Sequence, residues 1–330
     1  MLLILIITLM IFSVLILWKS SGWMTDSLIP VSKKLGTSYI AVTTIIVSLI
    51  LSLPEIFSSV YAYFLGYLDI GLGVIIGSVM ANIGLILGLS AMIKPLTVER
   101  AVVIRDGIFM IAAAGIVLLF GSDLHYSRSE GLVLFLLFIP HVINVWAFEK
   151  GRSTKSQKKK VKRVQKGLSL INMPKLKLKP SFLTFSIGAI TLIGGSYLFS
   201  YSLVELGKTV PLPGILIGLI FGGIGTAMPN IAAALQGTLK GYKDAALTET
   251  FGSNIFTLLI TLGILIMLSP FSIKGSVFYF DLTWMIIMNL LLVAFIFKGY
   301  HYREESLTRF EGLVLLLFYV VLLIIQFLKF

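Results

Sequence analysis

Two short segments carry side chains able to bind a cation within an otherwise apolar chain: Leu51-Ser52-Leu53-Pro54-Glu55 and Thr226-Ala227-Met228-Pro229-Asn230. A proline inside a helix removes one backbone donor and leaves the carbonyl four residues earlier unsatisfied. Those carbonyls belong to Ile50 and Gly225. In a membrane, freed carbonyls persist only where protein or a water-lined cavity satisfies them, and a bound cation does so well. Glu55 follows its proline at mid-helix, where a lone charge costs about 2.5–3.5 kcal/mol on insertion scales. It needs a partner or a purpose, the plain alternative being a protonated side chain that donates a hydrogen bond inside the bundle. Each segment is followed by a second one, Gly77-Ser78-Val79-Met80-Ala81-Asn82 and Gly252-Ser253-Asn254-Ile255-Phe256-Thr257. Ser78 and Asn82 are four apart and share a helical face, as do Ser253 and Thr257. Hard oxygens without cysteine, and with only the dispersed His125, His141 and His301, suit Ca²⁺ or Na⁺ rather than zinc or copper. Alone, a Gly-Ser pair in a membrane helix reads as packing glue. Joint recurrence at one offset, flanking a Pro-Glu, favours ligands.

The elements that must position these residues are membrane helices. Of 330 residues, 57% are hydrophobic and 13% charged, with a mean hydropathy of +1.00. An ordinary soluble domain has about a quarter charged residues, so a cytosolic enzyme is excluded. The lack of cysteine excludes disulfides, thiolate metal sites and Cys nucleophiles. Ten apolar runs are long enough to cross about 30 Å of hydrocarbon: 2–18, 37–64, 70–93, 101–121, 130–148, 181–203, 211–238, 244–268, 276–297 and 310–328. The first has no basic residue before it and no small-residue cleavage site after it, which makes it a retained span rather than a signal peptide. The net charge of +12 resides in residues 150–180, which hold twelve Lys/Arg and no acid. Such a run is a cytoplasmic loop under the positive-inside rule, with anionic lipid headgroups as a second partner; nucleic acid is not expected. With that linker inside, alternation puts Lys19, Lys33, Lys34, Lys94, Arg100, Arg105, Lys240, Lys243, Lys298, Arg303 and Arg309 inside, only Arg128, Lys208, Lys274 and Lys329 outside, and both termini outside. The predicted organisation is a first five-helix half over 1–148, a basic cytoplasmic linker over 149–180, and a second half over 181–330.

Five spans on each side of the linker is an odd number, so the halves are expected to lie upside down relative to each other. Sliding residues 36–106 onto 211–281 at a constant offset of 175 gives 16 identities in 71 positions. They include Pro54/Pro229, Gly66/Gly241, Asp69/Asp244, Gly77/Gly252, Ser78/Ser253, Gly88/Gly263, Pro95/Pro270 and Asp106/Asp281. Chance pairing of two Leu/Ile-rich segments would match Leu and Ile, not Pro, Gly and Asp. EGLVLFLLF at 130–138 returns as EGLVLLLFY at 311–319, at offset 181. The predicted fold is all-α and polytopic, with ten transmembrane helices as two inverted repeats, the plan of many secondary transporters that bind substrate near the midplane.

The segments SLPEIFSSV with GSVMANIGLILG, and GTAMPNIAAAL with GSNIFTLLITLG, resemble the paired alpha-repeats of the cation/Ca²⁺ antiporter superfamily, which includes sodium/calcium and calcium/proton exchangers. The resemblance implies alternating access, with spans 1 and 6 shifting, and Ca²⁺ moved against Na⁺ or H⁺, with no cofactor. It also implies Glu55 as the central carboxylate. Leu51 (through its backbone), Ser52, Ser78 and Asn82 would line the site from one half, with Thr226, Ser253 and Thr257 from the other. The chain departs from that pattern where a second acid is usual: Asn230 stands there, Ala227 replaces a serine, and Thr257 an Asp or Asn. One carboxylate leaves a divalent ion with net positive charge in low dielectric. Either a less demanding ion or stoichiometry is used, or an acid elsewhere compensates. Glu249, four residues before Ser253 and on its face, is the candidate; its alternative is to snorkel beside Lys243.

Other acids have structural readings. Asp106 and Asp281 could be ion relays, but Arg105 beside Asp106 favours an ion pair. Asp69 and Asp244 precede spans 3 and 8 and read as helix caps. Trp18, Trp23, Trp146, Tyr61, Tyr63 and Tyr67 read as interfacial anchors. Rivals to a Ca²⁺ antiporter are a monovalent cation/proton exchanger and a channel-like or non-transporting relative. An enzyme is not expected, because no Ser/His/Asp constellation accompanies the spans.

Overall fold

The computed structural model describes residues 2–27, 39–150, 179–239, 244–298 and 305–328. Most of the basic linker lies outside these residues, as do Lys33, Lys34, Lys240, Lys243 and Arg303. The expected ten helices are present: α1 (Leu2–Asp26), α2 (Tyr39–Phe64), α3 (Leu68–Ile93), α4 (Arg100–Asp123), α5 (Arg128–Lys150), α6 (Phe182–Thr209), α7 (214–239), α8 (245–268), α9 (Val277–Lys298) and α10 (Arg309–Leu328). α1 and α6 outrun their apolar stretches because they pack along each other: a Cβ on Gly188 would lie 3.1 Å from the Ser20 carbonyl. Lys19 therefore remains helical, its ammonium 5.8 Å from the Trp23 ring.

Two small strand pairs establish the inversion. β1 (Leu96–Val98), after α3, pairs antiparallel with β4 (Glu305–Leu307), after α9, with Leu96 opposite Leu307. β2 (His125–Tyr126), after α4, pairs with β3 (Phe271–Ser272), after α8. Bonded strands lie at one face of the bundle. The loop after the third helix of one half thus shares a face with the loop after the fourth helix of the other, which requires oppositely directed halves.

The duplication extends to backbone irregularities. π-helical turns occur at Asn82–Leu87 and Val103–Gly107, and again at Thr257–Thr261 and Val277–Leu282. Such turns insert a residue into the α pattern and concentrate at functional sites; Asn82 and Thr257 open theirs. The EGL echo also acquires a cause. Glu130 accepts from the Ser127 backbone N–H at 2.7 Å, and Glu311 from the Thr308 N–H at 2.8 Å, so each closes a capping box at its helix start. A Cβ on Gly131 would lie 2.9 Å from the Gly263 carbonyl, and one on Gly312 2.9 Å from the Gly88 carbonyl. The fifth helix of each half thus lies backbone-to-backbone on the third helix of the other. Asp244 occupies the N-cap of α8 and Asp69 the first turn of α3, but no side-chain capping bond forms at either start. They act on the helix N-terminus through charge.

The apolar interior divides in two. The larger cluster joins α3, α4, α7, α8, α9 and α10 with Leu134 of α5, and the smaller joins α1, α2 and α6 with Ile70, Val74, Ile217 and Ala233. The Pro-containing segments lie where these clusters meet, with Leu51 in the smaller and Ala227 in the larger.

Candidate cation-binding site

Four helices converge through one hydroxyl. The Ser253 Oγ on α8 lies 3.0 Å from the Ser52 Oγ on α2, and accepts from the Asn82 Nδ2 on α3 at 3.3 Å and the Asn230 Nδ2 on α7 at 3.1 Å. All four residues are buried. A hydroxyl has one hydrogen and two lone pairs. With both lone pairs taken by amides, the Ser253 hydrogen points to Ser52, whose own hydrogen and second lone pair remain available.

What this knot leaves over is oxygen. Glu55, one turn beyond Ser52, is fully buried, and neither carboxylate oxygen has a hydrogen-bond partner among the described residues. The same holds for Asn82 Oδ1, Asn230 Oδ1 and Thr257 Oγ1. A buried polar atom without a partner costs roughly 1–3 kcal/mol and a buried carboxylate more. Such a set persists when something positive satisfies it. The Ser78 hydroxyl donates to the Ile75 carbonyl at 3.0 Å and that of Thr226 to the Gly222 carbonyl at 3.0 Å. Donating backward leaves the lone pairs of both free to face a cation. Leu51 is buried beside Ser52. Glu249 sits one turn before Ser253 and is only partly buried, unlike Glu55.

Asn254 and Thr261 are further buried polar residues on α8, and both escaped sequence reasoning. The Asn254 Oδ1 accepts from Asn82 at 2.9 Å while its Nδ2 donates to the Val79 carbonyl at 3.3 Å. Val79 is its repeat counterpart, so this bond lies on the pseudo-two-fold axis. A polar residue aligned with a valine in a duplicated motif was the available signal. Thr261, one turn past Thr257, is buried with its hydroxyl unpartnered; its counterpart is Ile86, so the repeat gives no hint.

Asp106 is committed elsewhere. Arg105 holds it in a two-pronged ion pair, Nε to Oδ1 at 2.7 Å and Nη2 to Oδ2 at 2.6 Å. The expected pair is present, but enclosed rather than at a wet interface, since both residues are buried. Asp281 accepts from Gln326 on α10. Among the described residues no group of three or more His, Asp or Glu side chains gathers.

Comparison with known proteins agrees in fold and extent. The family described as sodium/calcium exchanger protein matches residues 5–147 and 180–328. The sodium/calcium exchanger MaX1 of Methanosarcina acetivorans is 25% identical, across 94% of this chain and 95% of its own length. The inner membrane protein YrbG of Escherichia coli is 30% identical, across 74% of each. A solved structure of the sodium-calcium exchanger NCX_Mj superposes with a TM-score of 0.64 at 22% identity, covering 97% of this chain and 98% of that one.

Proposed function

The chain belongs to the sodium/calcium exchanger protein family, and from that membership we propose that it is a secondary antiporter exchanging Ca²⁺ for Na⁺ or H⁺ by alternating access. The observation that carries this reading is Glu55: enclosed, with both oxygens unpartnered among the described residues, one turn from the Ser52 that joins the Ser253 knot. Leu51 (backbone), Ser52, Ser78 and Asn82 from the first half, and Thr226, Asn230 and Thr257 from the second, serve as neutral ligands, while Ser253, whose lone pairs are taken by the Asn82 and Asn230 amides, holds those two in place. Glu249 supplies a second charge from the side of α8 where Ser253 lies. Ca²⁺ competes with Na⁺ or H⁺ for the Glu55 oxygens. Single occupancy couples the two fluxes, because an empty carboxylate in a dry interior is too costly to cross the membrane alone.

Access changes as the α1–α6 pair shifts against the remaining helices. Two features support this. The pair packs in the smaller apolar cluster, shared with α2 and apart from the one that joins α4, α8, α9 and α10, and it meets the core through side chains rather than closely packed backbones: the Ser200 hydroxyl donates to the Ser58 carbonyl at 2.8 Å, Tyr197 packs edge-on against Tyr61, and the Phe199 ring seats on Gly225. The termini lie outside and the 149–180 linker in the cytoplasm, where its basic residues meet anionic lipid.

Proteoliposomes loaded with Na⁺ and diluted into Na⁺-free buffer with Ca²⁺ test the reading. Wild-type protein takes up Ca²⁺ only while the Na⁺ gradient lasts, and uptake that needs no counter-ion gradient means a channel. One observation favours a second reading: with Asn230 in place of an acid, the buried site holds a single carboxylate, which matches one monovalent cation or proton. Flux driven by K⁺ or H⁺ gradients with Ca²⁺ absent decides between them.

A further inference from the structure

The side-chain amide of Asn82 has two unlike ends, and only one of them attracts a cation. Which end is available is decided outside the ligand set. The Asn254 Nδ2 faces two acceptors, the Val79 carbonyl at 3.3 Å and the Met110 Sδ at 3.7 Å. Reversing this amide would turn its oxygen onto both acceptors, so its orientation is determined. Its Oδ1 consequently faces Asn82 at 2.9 Å and requires a donor there. The second hydrogen of the Asn82 Nδ2 goes to the Ser253 Oγ at 3.3 Å, and Asn82 Oδ1 is left with no partner among the described residues. Asn254, Asn82 and Ser253 are all completely buried, so water does not offer an easy alternative partner.

We infer that Asn254 is a positioning residue: through the chain Val79 carbonyl, Asn254, Asn82, it holds the Asn82 carbonyl oxygen rather than its amide hydrogens toward the transported cation. It touches no cation itself. Fixing the orientation in advance removes the cost of turning the amide on binding, the general benefit of preorganisation. The asymmetry belongs to the axis of the repeat, because the counterpart of Asn254 is Val79, whose backbone serves as the anchor.

This inference rests on the cation-site reading, and a double-mutant cycle separates the two. Binding of Ca²⁺ and of Na⁺ is measured by calorimetry on purified full-length protein: wild type, Asn254→Leu, Asn82→Asp, and the double variant. Asn254→Leu weakens binding about tenfold, the worth of one hydrogen bond. An aspartate at position 82 presents oxygen at both ends and cannot be misoriented, and the Asn254 Oδ1 then faces an oxygen instead of a donor, so in that background Asn254→Leu does not weaken binding. Equal losses in both backgrounds overturn the inference, since a merely structural role would not depend on the chemistry at position 82. No loss in either overturns it too. If the leucine variant does not fold, Asn254→Val carries the same prediction in both backgrounds. Wild-type protein that binds neither Ca²⁺ nor Na⁺ overturns the proposed function itself, and this inference with it.

Discussion

The two copies of the duplicated motif share a backbone and divide the chemistry. The first contributes charge: Glu55, with Ser52 one turn before it. At the same places the second has Asn230 and Ala227. The first-copy serine, Ser78, returns its hydrogen to its own helix at Ile75, whereas the second-copy serine, Ser253, ties α2, α3 and α7 together. The reason is reciprocal. Ser253 meets Ser52, but symmetry would bring Ser78 to Ala227, which has no hydroxyl to offer. The two copies agree where the helices turn and touch, and differ in which carries the enclosed charge and which carries the hydrogen-bond knot.

That division can be broken most severely at its charge. Glu55→Gln removes the enclosed carboxylate and is expected to reduce exchange in proteoliposomes at least 100-fold, with an unchanged elution profile in detergent. Near-normal flux would end the case for this site. Asn230→Glu restores symmetry of charge. A unit-charge pair at 4 Å is worth about 4 kcal/mol at an effective dielectric of 20, partly offset by desolvation. Calorimetry should therefore show Ca²⁺ binding tightened by about tenfold or more, and unchanged or weaker binding would mean that charge at this position does not limit affinity.

The knot is tested by comparing equivalent serines. Ser253→Ala leaves two buried amides and a hydroxyl without their partner and should cost about 2 kcal/mol, while Ser78→Ala removes one intrahelical bond and should cost less than about 1 kcal/mol. Thermal unfolding in detergent measures both, and equal losses would show that the hub is not special. The gentlest change is Ala227→Ser, which gives Ser78 the partner that Ser52 gives Ser253. Stabilisation by about 0.5–1.5 kcal/mol is the expected gain from the new bond, reduced by crowding at a position with no exposed surface. A clear loss of stability would indicate that the copies are not related by the symmetry argued for the serines.

Ten helices, their inverted halves and the candidate site's main residues were legible in the linear chain, for identifiable reasons. Apolar runs of membrane length, the 175-residue offset and prolines beside polar residues are local patterns that need no tertiary knowledge. Glu55, Ser52, Asn82, Asn230 and Ser253 emerged from those patterns; the structure joins the last four through hydrogen bonds and buries Glu55 one turn from Ser52. The capping function of Glu130 and Glu311 could have been read from Ser127 and Thr308 three residues earlier. The roles of Asn254 and of the Asp281–Gln326 contact could not, because their partners come from helices remote in sequence.

The amino-acid order alone determined that this chain spans a membrane, repeats itself upside down and carries one unavoidable negative charge beside a helix-breaking proline. Periodicity, span length and the cost of desolvating a charge act on neighbouring residues, so they can be read in place. Only the folded arrangement decided which oxygens remain unclaimed. That depends on hydrogen-bond partners about 170 to 200 positions away and on the direction in which each buried amide is turned.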